Sequence, residues 1–165
     1  MSQPIRRPAL LLCCMDYRYI HAVLGFVKRQ LGIKVYNVKT DAGGTKALLN
    51  GDPAVRAWIL SNVELAYQRH GVRMVVLIHH EDCAAYGGSA TFKDRAKETA
   101  FHAQQLAMAA SLLRAAFSRL TVRMFYAHRA RRRIVFAEIV GSRPRHLAAG
   151  GVCTRGLPRM TGEMA

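Results

Sequence analysis

The sequence predicts an α/β protein of three layers, with a central, mostly parallel β-sheet, an antiparallel edge strand and helices on both faces. Three observations carry that prediction. Short apolar runs alternate with stretches of helical period, the pattern of successive β-α-β units. The runs Ala9 to Leu12 and Val75 to Ile78 are continuously apolar, as strands covered on both faces are. Both runs stop abruptly at chemistry-bearing groups, Cys13, Cys14, Asp16 and Arg18 after the first and His79, His80, Glu81, Asp82 and Cys83 after the second.

Taken in order, Ala9 to Cys13 is the first strand. Tyr19 to Leu31 places Ile20, Val23, Leu24, Val27 and Leu31 on one stripe and meets Gly32, so it is a helix. The β-branched stretch Ile33 to Val38 predicts the second strand, followed by Thr40, Asp41, Ala42, Gly43 and Gly44, whose paired glycines let backbone approach the strand ends. Asp52 and Pro53 are an N-cap and first-turn pair, and the helix they open runs to about Arg69 before Gly71. Arg73 to Ile78 is the third strand. After Gly87 and Gly88, a long helix is expected from about Phe92 to Phe117, with His102 on it as a solvated or satisfied residue. Leu120 to Ala127 and Ile134 to Val140 read as a closing strand pair. Their connection, His128 to Arg133, lacks the Gly or Asn that a tight hairpin prefers.

Beyond Val140 the periodicity ends, which divides the chain into one domain at 1–140 and an irregular basic tail at 141–165, with Cys153 a bystander. Right-handed crossovers place strand one between strands two and three and bring Cys14, Gly43 and His80 to one sheet edge, at a switch point.

The 165 residues, 51% hydrophobic and 21% charged, fit one globular domain. No apolar stretch nears the roughly 18 to 20 residues needed to cross a bilayer, and no targeting segment is read, so a cytoplasmic protein without a membrane partner is expected. The net charge of +15 is concentrated in Arg129 to Arg133 and Arg143 to Arg159 without interleaved aromatics. It reads as solvated surface in preference to a nucleic-acid stripe. Four cysteines without a secretion signal argue against a disulfide framework. Cys13 and Cys14, adjacent on a strand, must face opposite ways.

Cys14, His80 and Cys83 then supply two thiolates and one imidazole, a donor set that suits zinc. The two-residue gap between His80 and Cys83 lets one turn of backbone aim both at one ion. Three protein ligands leave a fourth tetrahedral position open, the mark of a catalytic site. Asp16 and Arg18 follow on one side of an extended segment, where Arg18 can hold the carboxylate by a bidentate pair and leave it an acceptor for zinc-bound hydroxide. An ion pair at a helix start is the alternative. His79 competes with His80 but should point to the opposite face. Glu81 and Asp82 are either outer acceptors or partners of the turn's backbone, and Tyr17, Tyr86 and Phe26 either line a pocket or fill the core.

The set Cys14-Met15-Asp16-Tyr17-Arg18, Asp41-Ala42-Gly43-Gly44 and His80-Glu81-Asp82-Cys83 resembles the β-class carbonic anhydrases, above all their short members, over roughly Ala9 to Ala137. The resemblance implies that Cys14, His80 and Cys83 bind zinc and that Asp16 and Arg18 are the catalytic dyad. It implies a lyase that hydrates carbon dioxide to bicarbonate through zinc-bound hydroxide, works as a homodimer or higher homo-oligomer, and lines its substrate pocket with Gly43, Gly44 and Tyr17. In some members the Asp of the first motif becomes a fourth ligand, a closed state open to Asp16. The same scaffold acting on carbonyl sulfide or carbon disulfide, or serving as a non-catalytic binding protein, are the alternatives. Here Ala84 stands where the family has glycine. Asp41 brings a negative charge near two thiolates unless it is paired.

Overall fold

The structure, a computed structural model, describes residues 8–141 and 143–146, the last by its backbone alone. Most of the predicted tail, with Cys153, lies outside the described residues. Six strands form one sheet: β1 (Ala9–Cys14), β2 (Tyr36–Asp41), β3 (Met74–His80), β4 (Thr121–Ala130), β5 (Arg133–Val140) and β6 (Arg143–His146). Their spatial order is β2-β1-β3-β4-β5-β6. The first four are mutually parallel, and β5 and β6 each run antiparallel to the strand before. The α/β class and the central place of β1 are as the sequence predicts, within a mixed six-strand sheet.

Alternation along β1 and β3 builds two cores from one pair of strands. Leu11, Cys13, Val76 and Ile78 pack with Tyr19, Val23 and Phe26 of α1 (Tyr17–Arg29). Leu10, Leu12, Val75 and Leu77 face the other way, onto Ile59 and Val63 of a helix at Pro53–Arg69 and Leu106, Ala110 and Leu113 of one at Arg95–Ala116. A short helix, Lys46–Asn50, precedes these two; in chain order the three are α2, α3 and α4. The caps set the helix starts. Asp16, Asp52 and Asp94 each accept a backbone N–H of the first turn through the side chain. None of the described helices is long and apolar enough to cross a membrane.

Three expectations are corrected and one helix is added. The second strand is not Ile33 to Val38 but Tyr36–Asp41, because pairing with β1 in the register Ala9↔Tyr36 to Cys14↔Asp41 carries it to the end of its neighbour. Helix α2 was not predicted; five residues are too few to show a period. The long helix begins at Arg95, not Phe92, since Asp94 is its cap and two short 3₁₀ turns, Ala84–Tyr86 and Ser89–Thr91, fill the loop before it. The supposedly irregular stretch after Val140 opens with β6, so β5 is not the sheet edge.

The β4–β5 connection is a two-residue loop, Arg131-Arg132, between the paired Ala130 and Arg133. Arg131 holds φ at 56°, a left-handed conformation that costs a residue with a Cβ roughly 1–2 kcal/mol. Arg131→Gly is therefore expected to stabilise the protein by about 0.5–1 kcal/mol after the entropy that glycine adds to the unfolded chain. The urea midpoint of the variant tests this, and a lower midpoint would count against the turn geometry.

Candidate metal centre

Alternation at two strand ends selects the donors. Cys13, in the α1-side core, is 1% exposed, and burial pushes its thiol up to about 12. Cys14 turns the other way, and its Sγ lies 3.9 Å from the Sγ of Cys83. His80 joins them, and one ligand atom from each of the three residues lies within 4.8 Å of the others. Among the described residues no other trio of His, Cys, Asp or Glu gathers in this way. The sequence-predicted ligands thus converge, and His79 does not share their face.

The donor chemistry fits a metal. The imidazole of His80 uses Nδ1 toward the carbonyl of Glu81 (2.7 Å), which makes that nitrogen the donor. Its Nε2, buried and without a hydrogen-bond partner among the described residues, is left as a lone-pair donor facing the thiols. Such an orphaned atom calls for an explanation, and an ion supplies one. The Tyr19 ring stacks on His80 at 4.3 Å and fixes its plane. The Cys14 thiol is pulled down to about 4 by the hydrogen bond from Cys83, with a further donor in the Gly43 N–H, 3.4 Å from Sγ. Cys83 is pushed up because the thiolate of Cys14 holds its proton and because it is buried. A cation beside both sulfurs removes that conflict, since coordinated thiols are deprotonated.

Asp16 and Arg18 form the expected pair. Arg18 Nη2 donates to Asp16 Oδ2 at 2.7 Å and Nε reaches both carboxylate oxygens at 3.0 and 3.1 Å. Arg18 lowers the Asp16 carboxyl to about 2. Asp16 is also the N-cap of α1, accepting the Arg18 N–H at 2.9 Å, so the ion-pair and site readings describe one residue. Its Oδ2 lies 3.9 Å from His80 Nε2. The other end of Arg18 donates to Asp82 Oδ2 (2.7 Å) and Asp82 O (2.8 Å). Asp82 takes φ of 54° to make this reach. Buried Glu98 holds the turn from behind, accepting from Asp82 N at 2.6 Å and from Ser89 Oγ at 2.8 Å. Asp82 is thus the outer acceptor that the sequence offers as one alternative, while Glu98, on the long helix, carries no signal in the sequence.

The glycine loop takes its place for steric reasons. A Cβ on Gly43 would come within 3.0–3.1 Å of Lys46, Ala85 and Tyr86, and one on Gly44 within 3.2 Å of His79. Both glycines have positive φ. Asp41 adds no unpaired charge, since Lys39 Nζ is 3.0 Å from its carboxylate. A cleft of about 520 Å³ opens over the site, lined by Asp16, Tyr17, Arg18, Ala42 and both cysteines. Met15 and Tyr17 at its mouth are 64% and 82% exposed. Phe26 is core, stacked on Phe136 at 4.0 Å, and Tyr86 packs edge-on against His102.

Of the two alternatives for His102, solvated or satisfied by a partner, burial excludes the first. His102 is fully buried, with its Nδ1 3.2 Å from Nδ1 of His79. His79 in turn meets Thr45 Oγ1 at 2.8 Å. Burial lowers the pKa of His102 to about 4, with the charge of His80 as a smaller cause, and lowers that of His79 as well. Between about 6.5 and 4 the unfolded chain therefore binds a proton on residue 102 that the native chain refuses, so stability falls as pH drops through that window. The His102 contribution reaches about 3 kcal/mol at most. Urea midpoints of the metal-free protein at pH 7 and pH 5 are expected to differ, and less so in His102→Gln. An equal difference in the variant would remove His102 as a cause.

Comparisons with known proteins fit this geometry. A family described as "Putative carbonic anhydrase" matches residues 6–135. An uncharacterized protein of Rickettsia conorii is 30% identical over 122 residues, 70% of this chain and 64% of that protein, so the chain spans less than two thirds of this relative's length. Among solved structures, a β-carbonic anhydrase of the protozoan Trichomonas vaginalis gives a TM-score of 0.53 at 13% identity, covering 87% of this chain and 89% of that one. Tetrameric β-carbonic anhydrases of the ascomycete Sordaria macrospora give 0.52 at 15% identity, with 87% and 82% covered. At these identities the structural likeness speaks to the fold.

Proposed function

Because this chain belongs to the carbonic anhydrase-like family whose model spans residues 6–135, we propose that it is a zinc-dependent lyase converting carbon dioxide and water to bicarbonate and a proton. The observation that carries this reading is the convergence of Cys14, His80 and Cys83 with an orphaned imidazole Nε2, beside a carboxylate already pinned by arginine. Cys14, Cys83 and His80 Nε2 would hold the ion. Zinc there would supply the Lewis acidity that makes a nucleophile of water near neutral pH, at a pKa of about 7 as in carbonic anhydrases generally.

This chain's own residues do the rest. The peptide carbonyl of Glu81 and the ring of Tyr19 hold His80 in one tautomer and one plane. Asp16 stays ionised throughout the working range, so it does not carry the product proton away. Its role is to accept a hydrogen bond from the attacking water and aim the lone pair at the carbon. Arg18, tied to Asp82 at its far end, keeps that carboxylate from swinging toward the ion and favours an open site over one closed by Asp16. Gly43 and Gly44 bring backbone against Cys14, and the cleft walls of Ala42, Ala84 and Ala85 leave an apolar space for a small, uncharged substrate.

The exposed Met15 and Tyr17 at the mouth, with Val55, Trp58 and Leu65 exposed on α3, favour a homo-oligomer in which a second copy covers apolar surface. The test is metal content per chain together with stopped-flow hydration of carbon dioxide across pH on the same full-length sample. One zinc per chain, with hydration rising through a pKa near 7, is expected. Stoichiometric zinc without hydration at any pH would overturn the assigned substrate, and absence of zinc after reconstitution would overturn the site.

A further inference from the structure

A second cavity, of about 640 Å³, opens between α4 and the strands β4 to β6. It is separate from the metal centre and shares no lining residue with the cleft over it. Its volume falls within the range typical of small-molecule sites. Ala100, Ala137 and Pro144 give it apolar walls, and Tyr126, 1% exposed, closes its inner end. The exposed side chains of Arg95 and Arg143 stand at its mouth. Among the described residues no carboxylate lines it.

The inner end is short of acceptors. The hydroxyl of Tyr126 is buried without a hydrogen-bond partner among the described residues, and so is Nε2 of His102, whose ring stacks on Tyr126 at 5.4 Å. The protonation of that nitrogen follows from a chain of bonds. The Thr45 N–H donates to His79 Nε2 (3.3 Å), so neutral His79 carries its proton on Nδ1. That proton is donated across 3.2 Å to His102 Nδ1, which leaves neutral His102 with its own proton on Nε2. The Thr99 hydroxyl donates to the carbonyl of Arg95 at 2.8 Å. The Tyr126 hydroxyl and the His102 N–H are thus two buried polar groups without a partner among the described residues, and natural proteins seldom leave such groups unmet.

The mouth is short of anions. Arg95 Nη2 donates to Glu81 (2.7 Å) and to the carbonyl of Arg129 (2.5 Å), but its Nε and Nη1 make no hydrogen bond among the described residues. Arg143 makes no ion pair among them.

We propose that this cavity binds a small organic carboxylate whose far end carries a hydroxyl or carbonyl acceptor. The carboxylate pairs with the guanidinium groups of Arg95 and Arg143, whose planar forks suit its two oxygens. The apolar body lies along Ala100, Ala137 and Pro144, and the far acceptor receives the Tyr126 hydroxyl.

Hydroxynaphthoate is a probe of matching shape, and its fluorescence permits direct titration of the full-length, zinc-loaded protein. Saturable binding of one probe per chain is expected, with the neutral amide of the same probe at least about tenfold weaker, as loss of a charged hydrogen-bonding group implies. Arg143→Glu is expected to weaken the acid by a similar factor and to leave the amide unchanged. Tyr126→Phe, which keeps the ring in the core, is expected to abolish the preference for hydroxynaphthoate over naphthoate. Ala100→Trp, at an exposed helix position, should block the cavity without disturbing the fold. No saturable binding, equal affinity for acid and amide, or binding that survives Ala100→Trp would overturn the proposal. The last of these would place the probe elsewhere, such as the cleft beside Cys14.

Discussion

Cys83→Ser is expected to retain less than a tenth of the wild-type zinc after equilibration with the metal and to lose hydration in proportion. Serine is isosteric enough to enter the loop, but its hydroxyl does not ionise near neutral pH and is a poor zinc donor beside a thiolate. The loss also shows in stability. A ligand present at a hundred times its dissociation constant stabilises the native state by about 2.7 kcal/mol, so the wild-type melting temperature should rise with zinc and that of the variant should not. Comparing the two metal-free proteins isolates the packing cost of the change, because Cys83 is 3% exposed and its backbone carbonyl accepts from Tyr86 and Gly88 in both. A variant that kept one zinc per chain would show that Cys83 is not a ligand.

Asp16→Ala is expected to keep the metal and to lose hydration by about 10²-fold or more, the scale of a positioned acid-base or orienting group. It should also cost about 1 kcal/mol of stability, because the same carboxylate caps α1. Asp16→Asn separates the two effects. The amide oxygen can still cap the helix, but it carries no charge for Arg18, so stability should return while hydration stays low. Metal content is the deciding readout between the two states of the site. If Asp16→Ala empties it, Asp16 is a fourth ligand and the open reading fails.

Much of this site was legible because strand ends concentrate chemistry at one edge of a parallel sheet. The continuous apolar runs located β1 and β3, and alternation separated Cys14 from Cys13 and His80 from His79. The α4 side of the sheet was not legible for a physical reason. The inward stripe of that helix includes Glu98, His102 and Gln105, all buried, and a stripe that mixes polar with apolar residues escapes a search for hydrophobic period. His102 is buried because His79 and Tyr126 pack against it, contacts between distant parts of the chain. The shift of β2 has a similar origin. Ile33 and Val35 have strand-forming side chains, yet the register with β1 decides where the ladder begins. Asp82 was visible as a residue but not as the far anchor of Arg18, because its reach depends on a left-handed backbone that sequence preference does not favour.

The doubled endings of β1 and β3, Cys13-Cys14 and His79-His80, bear on how the chain avoids folding incorrectly. Both faces of these strands are apolar, so a one-residue slip does not expose a hydrophobic face and meets little resistance from the pattern that normally fixes register. Such a slip would turn Cys13 and His79 toward the metal side, a counterfeit donor pair on a chain whose Asp16 and glycine loop were no longer in place. Zinc present from the first moments of refolding could hold that wrong register. Zinc supplied after the sheet has formed is then expected to give the higher yield of native protein.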